Sequence, residues 1–208
     1  MTKLLTSLLI VFSTSLFAQK QVAKDLLDRL SATTKSYKNM TIGFDFIFEN
    51  KKHNINEKQN GILELQKEMF RLEMEGQTII NDGESQWIYL DDMNEVQIME
   101  NDPEDQMMSP NKLFTIYKEG YKYNYVGSKT ENGKNLQMID LFPEESGAFM
   151  KISLEIIDDI NQLHKITIHD KNGGTYTYLV ISFKSNTSLA PITFKSDYYK
   201  DIEVIDLR

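Results

Sequence analysis

Residues 61–98, GILELQKEMFRLEMEGQTIINDGESQWIYLDDMNEVQI, decide the fold. Leu63 and Leu65 alternate with Glu64 and Gln66, and Phe70, Leu72 and Met74 alternate with Arg71 and Glu73. Such a period of two puts one apolar and one wet face on each strand. The pattern breaks at Gly76, Ile79-Ile80 leads into Asp82-Gly83, and Trp87 and Tyr89 follow on one face of the next strand. Asp-Gly supplies the positive φ that a tight hairpin turn needs. The stretch therefore reads as four or five short strands in direct succession. Its apolar face is either filled core or the wall of a pocket.

Outward from this meander, the N-terminus reads as a targeting segment. Met1-Thr2-Lys3 is a short basic start, Leu4 to Phe17 is uncharged and mostly apolar, and Ala18 closes the run before Gln19-Lys20. A run of that length suits a signal peptide better than a membrane span. Residues 1–18 are thus expected to be removed and residues 19–208 to form one domain. With Lys3 as the one charge among them, their removal leaves 190 residues and moves the net charge from −8 to −9. That balance, with no basic cluster, argues against nucleic acid. The chain has no cysteine. Thiol catalysis, thiolate metal sites and a lipid anchor on the exported N-terminus drop out. A domain of this size buries enough surface to fold without disulfides. The expectation is an exported, soluble protein, and the lack of disulfides suits a bacterial periplasm at least as well as an animal secretory route.

Val22, Ala23, Leu26, Leu27 and Leu30 fall on one helical stripe, so residues 22–37 read as an amphipathic helix packed on a sheet or serving as a lid. Phe44, Phe46 and Phe48 share one face of a strand, and the polar residues 49–60 read as a hairpin loop. Beyond Ile98 the pattern stops at an acidic, turn-like stretch followed by Met107-Met108. Ser109-Pro110 signals a helix start, and Leu113, Phe114 and Tyr117 form its apolar stripe up to Gly120. Strands resume with Tyr121, Tyr123 and Tyr125 on one face, and Asn132-Gly133, Asp158-Asp159 and Asn172-Gly173-Gly174 mark the turns that follow. The total is about eleven strands and two helical regions in one mainly β domain.

Catalytic chemistry finds no foothold in this pattern. His53 lies in a polar loop, and His164 and His169 are five apart in a strand, facing opposite ways. The carboxylate pairs Asp91-Asp92, Glu144-Glu145 and Asp158-Asp159 sit in turns. There is no phosphate loop, nucleophile elbow or calcium-loop spacing. No catalytic residue, metal or cofactor is expected. What remains is apolar surface: a barrel of eleven strands can enclose a cavity. Phe44, Phe46, Phe48, Phe70, Leu72, Trp87, Tyr89, Tyr123 and Tyr125 are its candidate lining, and a packed core is the alternative.

The run G-x-L-x-L ending in FRLEM, then IINDGESQWIYLDDMNEVQI, then the SPNKLF helix start, resembles the outer-membrane lipoprotein carrier (LolA) family over essentially all of residues 19–208. The resemblance implies an unclosed antiparallel β-barrel of eleven strands with an α-helical lid over an apolar cavity. It further implies a shuttle for acylated lipoproteins that receives them from an inner-membrane ABC transporter complex and delivers them to the outer membrane, with an outer-membrane receptor left open. Phe44, Phe46, Phe48, Phe70, Leu72, Trp87 and Tyr89 would bind acyl chains. Leu26, Leu30, Met107, Met108, Leu113 and Phe114 would belong to the lid. Members of that family hold the lid closed with an arginine in this strand pair. Here Lys67 stands nearest that place and Arg71 follows Phe70, so Lys67 or Arg71 is the expected latch. A C-terminal extra strand found in some members is expected to be absent. The alternative function on the same fold is a cell-envelope sensor or scaffold with a filled core. A lipid-processing enzyme ranks behind both.

Overall fold

The computed structural model describes residues 2–101, 110, 114–118, 120–145, 147, 149–195 and 201–208, with residues 2–18 described for their backbone alone. A helix, α1 (Thr2–Ser36), leads into twelve strands. Six form the first meander: β1 (Met40–Asn50), β2 (Ile55–Gln66), β3 (Met69–Met74), β4 (Gln77–Asn81), β5 (Ser85–Leu90) and β6 (Glu95–Glu100). Five form the second: β7 (Tyr121–Glu131), β8 (Lys134–Pro143), β9 (Phe149–Ile157), β10 (Gln162–Asp170) and β11 (Gly174–Ser185). A last short strand, β12 (Glu203–Asp206), closes the chain.

The strands make one sheet in the order β12-β6-β5-β4-β3-β2-β1-β11-β10-β9-β8-β7. Strand β1 is the seam, pairing antiparallel with β2 on one side and with β11 on the other. Strands β7 and β12 end the order without pairing to each other, so the barrel is unclosed. Several turns are those the sequence signals. Asn132 and Gly133 both have positive φ, 49° and 75°, as a primed two-residue turn requires. Gly76 (80°) and Gly83 (97°) turn β3 into β4 and β4 into β5. Gly61 serves another purpose: a Cβ there would overlap the ring of Phe44, which lies across the β2 backbone.

Three expectations need correction. The polar residues 49–60 are mostly strand, because Ile55–Asn60 extend β2 opposite Asp45–Asn50 and only residues 51–54 turn. Paired backbone groups there outweigh the lack of apolar side chains. The expected helix after Pro110 appears, among the described residues, as a single 3-10 turn at Ile116–Lys118. The C-terminal strand is present and runs parallel to β6, so the sheet is not wholly antiparallel. The chain leaves β11, crosses the sheet, and meets β6 at its first residues, where the Glu203 amide donates to the Asn94 carbonyl at 3.0 Å. Entry at that end imposes the parallel direction.

Helix α1 lays Ala23, Leu26, Leu27 and Leu30, each at most 4% exposed, into one core with Ile139, Leu141, Ile152, Leu154 and Ile156. The helix packs on β7 and β10 in the second meander. Its polar side is tied down too, since the Arg29 guanidinium donates to Asp158 at 3.0 Å.

Candidate functional site

Residues paired across a sheet share a face. Leu72 pairs with Ile79 and Ile79 with Ile88; Phe46 pairs with Tyr178 and Tyr178 with Ile166. These side chains belong to the inner face, which carries the core and receives the helix. The two halves of that face differ. In the second meander, Ile139, Leu141, Ile152, Leu154, Ile156 and Ile168 are at most 3% exposed. In the first meander, Phe46, Leu72, Met74, Ile79 and Ile88 are only half-buried. The apolar wall that the helix leaves least covered is thus the one built by β1 and β3–β5.

The seven candidate acyl-binding residues divide between two faces. Phe44 (5% exposed) and Phe70 (4%) are inner and buried, and Phe46 and Leu72 are inner and half-buried. Phe48 stacks on Tyr176 with ring centroids 4.8 Å apart. Trp87 and Tyr89 do not join them. Trp87 pairs with Ile80, and Ile80 with Arg71, which places all three on the outer face with Val96 opposite Tyr89. The C-terminal segment crosses that face. Ile192 is buried there, and Phe194 stacks on Trp87 at 6.1 Å with ring planes 10° apart. The first meander is therefore apolar on both faces, with a second small core under the C-terminal segment. The unbroken run Trp87-Ile88-Tyr89-Leu90 and the pair Ile79-Ile80 are the sequence signals for a strand covered on both sides. The outer face of the second meander is mixed: Leu136 pairs with Ile157 and both are buried, while Lys151 pairs with Asp140 at 3.0 Å and the Ser153 hydroxyl donates to Asp140 at 2.6 Å.

Arg71 holds a segment in place, but not the helix. Its guanidinium donates to Glu64 at 2.8 Å and to the Pro191 carbonyl at 2.9 Å, both on the outer face, while the helix lies on the inner one. Lys67 is exposed in the β2–β3 turn with φ 56°. Among the described residues, helix and insertion are joined by a different pair, which the sequence reading did not single out. Tyr117, 6% exposed, donates its hydroxyl to Asp28 of α1 at 2.7 Å. Lys24 pairs with the same carboxylate at 2.5 Å. Hydrogen bonds from Lys24 and then Tyr117 hold the Asp28 carboxyl below its ordinary value, and burial followed by the Asp28 contact pushes the Tyr117 phenol up to about 12. Phe114 (8% exposed) joins the same core as Leu26 and Leu30. Met107, Met108 and Leu113 lie outside the described residues.

Between the last turn of α1 and the sheet lies an apolar crevice bordered by Thr33, Tyr37, Ile42, Phe114, Val180 and Phe183. Its free space is about 20 Å³, room for one water and not for an acyl chain. For this crevice to admit an apolar guest, the helix must move. Groups suited to other chemistry are dispersed. His164 sits at a register shift in β10 and His169 pairs with Lys151, and burial lowers both imidazole pKa values. Asp91-Asp92 and Asp158-Asp159 open 3-10 turns. Among the described residues, no three His, Asp or Glu side chains gather as a metal site. No helix among them is long and apolar enough to cross a membrane.

Residues 19–197 match the family model described as outer membrane lipoprotein carrier protein LolA. The chain is 28% identical over 211 residues to the outer-membrane lipoprotein carrier protein of Legionella pneumophila (strain Paris), with 99% of each chain covered. Among solved structures it is similar to an uncharacterized conserved protein from Thermus thermophilus, with TM-score 0.57 and 15% identity over 88% of this chain and 98% of that one. It is also similar to the Mycobacterium tuberculosis lipoprotein LppX, with TM-score 0.50 and 12% identity over 81% of this chain and 98% of that one. At these identities the likeness shows the fold alone.

Proposed function

The chain belongs to the outer membrane lipoprotein carrier protein (LolA) family, and from that membership we propose that it is a periplasmic carrier of acylated lipoproteins, freed from its N-terminal segment after Ala18 and working as a monomer. It would take its cargo from an inner-membrane ABC transporter complex and release it at the outer membrane. The observation that carries the reading is the half-buried apolar wall of Phe46, Leu72, Met74, Ile79 and Ile88, on the inner face of an open sheet. Each methylene moved from water onto such a wall is stabilised by about 0.8 kcal/mol, so one long acyl chain suffices to offset the opening of a lid. Helix α1 and the segment around Phe114 and Tyr117 are the lid of this reading, and the hydrogen bond from Tyr117 to Asp28 is its latch in place of Lys67 or Arg71.

The small free space under the helix supports a second reading, an envelope sensor or scaffold with a filled core. Incubation of the purified chain with vesicles holding a triacylated lipoprotein separates the two. The carrier withdraws lipoprotein into a soluble one-to-one complex. Lipoprotein that stays in the vesicles at every concentration of the chain contradicts the carrier and favours the sensor.

A further inference from the structure

Among the described residues Tyr121, Tyr123 and Tyr178 are phenols of the inner face without a hydrogen bond, and Tyr178 is the one seated beside Phe44 and Phe46. Tyr178 sits at the seam of the two meanders, paired with Phe46 of β1 and Ile166 of β10. Its ring lies 5.1 Å from that of Phe46 and 5.7 Å from that of Phe44, and Ile166 beside it is buried. Two others on the same face have partners: the Tyr125 hydroxyl donates to Gln137 at 2.7 Å and the Tyr176 hydroxyl donates to Asp170 at 3.3 Å. Among the described residues, the Tyr178 hydroxyl makes no hydrogen bond. Burial pushes its pKa up, so it stays a neutral donor throughout the physiological range. A phenylalanine would pack against Phe44 and Phe46 equally well, whereas a phenol in apolar surroundings normally finds a partner. The ring is half-buried, so a guest on the inner face can reach it.

We propose that Tyr178 is the polar anchor of the inner wall, donating a hydrogen bond to the carbonyl of an ester- or amide-linked acyl group. The inference rests on the carrier reading and sharpens it. Phe44, Phe46 and Leu72 hold methylenes without regard to register along the chain. A single donor among them fixes where the acyl carbonyl stops and distinguishes acyl groups from plain alkyl chains. This is orientation by one well-placed polar group in an otherwise apolar site.

The test uses two competitors that differ by one carbonyl, monopalmitoyl glycerol and its ether counterpart hexadecyl glycerol, displacing a fluorescent fatty-acid probe from the full chain. The wild type should bind the ester about fivefold to tenfold more tightly than the ether, the worth of one such hydrogen bond. Tyr178→Phe should bind both with the affinity of the ether, and its melting temperature without ligand should be unchanged or higher, since the hydroxyl it loses has no partner in the protein. Equal binding of ester and ether by the wild type, or discrimination that survives in Tyr178→Phe, overturns the anchor while the carrier stands. A wild type that binds neither competitor nor probe overturns both.

Discussion

Stacked on Phe194 from the outer face, Trp87 reports on the C-terminal segment and not on whatever occupies the inner wall. Its emission should stay constant when an acyl probe binds. Phe194→Ala should instead shift it to the red, as water reaches the indole. A shift of Trp87 emission on acyl binding, with Phe194→Ala silent, would return the tryptophan to the inner wall. The face of this residue is illegible in the sequence for a definite reason. Parity along the meander passes through the Gly76 turn and through Asp82–Glu84, and the consecutive Ile79 and Ile80 satisfy either register. A one-residue slip exchanges every side chain between faces. Phe44, Phe46, Phe70 and Leu72 lie in strands with clean alternation, and their common face could be read directly.

Helix α1 and the segment around Tyr117 meet through apolar packing of Phe114 and through the Tyr117 hydroxyl on Asp28, and the pH dependence of that hydrogen bond has a definite sign. The Asp28 pKa is depressed on folding, so its contribution is present above its ordinary value of 3.8 and is lost as pH falls through the lower folded value. The Tyr117 pKa is raised, so its contribution is complete below 10 and is lost as pH climbs through about 12. Urea midpoints of the wild type should therefore fall between pH 10 and 12 by more than those of Tyr117→Phe. At neutral pH the variant should be less stable by about 1–2 kcal/mol, an upper range for a bond whose carboxylate is partly in water. Parallel pH profiles for the two proteins would remove this contact from the account. The helical stripe itself is plain in the sequence, because Ala23, Leu26, Leu27 and Leu30 have no other way to be buried together. The Tyr117–Asp28 pairing joins residues 89 positions apart and leaves no local signal.

At the scale of the molecule, the two meanders are alike in strand count and unlike in what covers them. The second is apolar inside under α1 and mixed outside, where Asp140, Lys151 and Ser153 interact beside the buried pair Leu136 and Ile157. The first is apolar on both sides, with the C-terminal segment sealing its outer face and β12 covering the edge of β6. That covering leaves its inner wall as the half-buried apolar surface of the open sheet. It also blunts an edge that would otherwise offer β6 to strand pairing. Most hairpin turns and the succession of strands were legible because Gly and Asn mark the turns and alternation marks the strands. The parallel β12 was not, since four residues of tail carry no pattern until a neighbouring strand receives them. The central claim is that the inner wall of the first meander holds acyl chains, and titration of a fluorescent fatty-acid probe tests it most directly. The account predicts saturable binding by the wild type and by Ile62→Gln, whose side chain is 47% exposed on the outer face, with a loss of about tenfold in Leu72→Gln. Absence of saturable binding, or equal affinity in Leu72→Gln and the wild type, would contradict it.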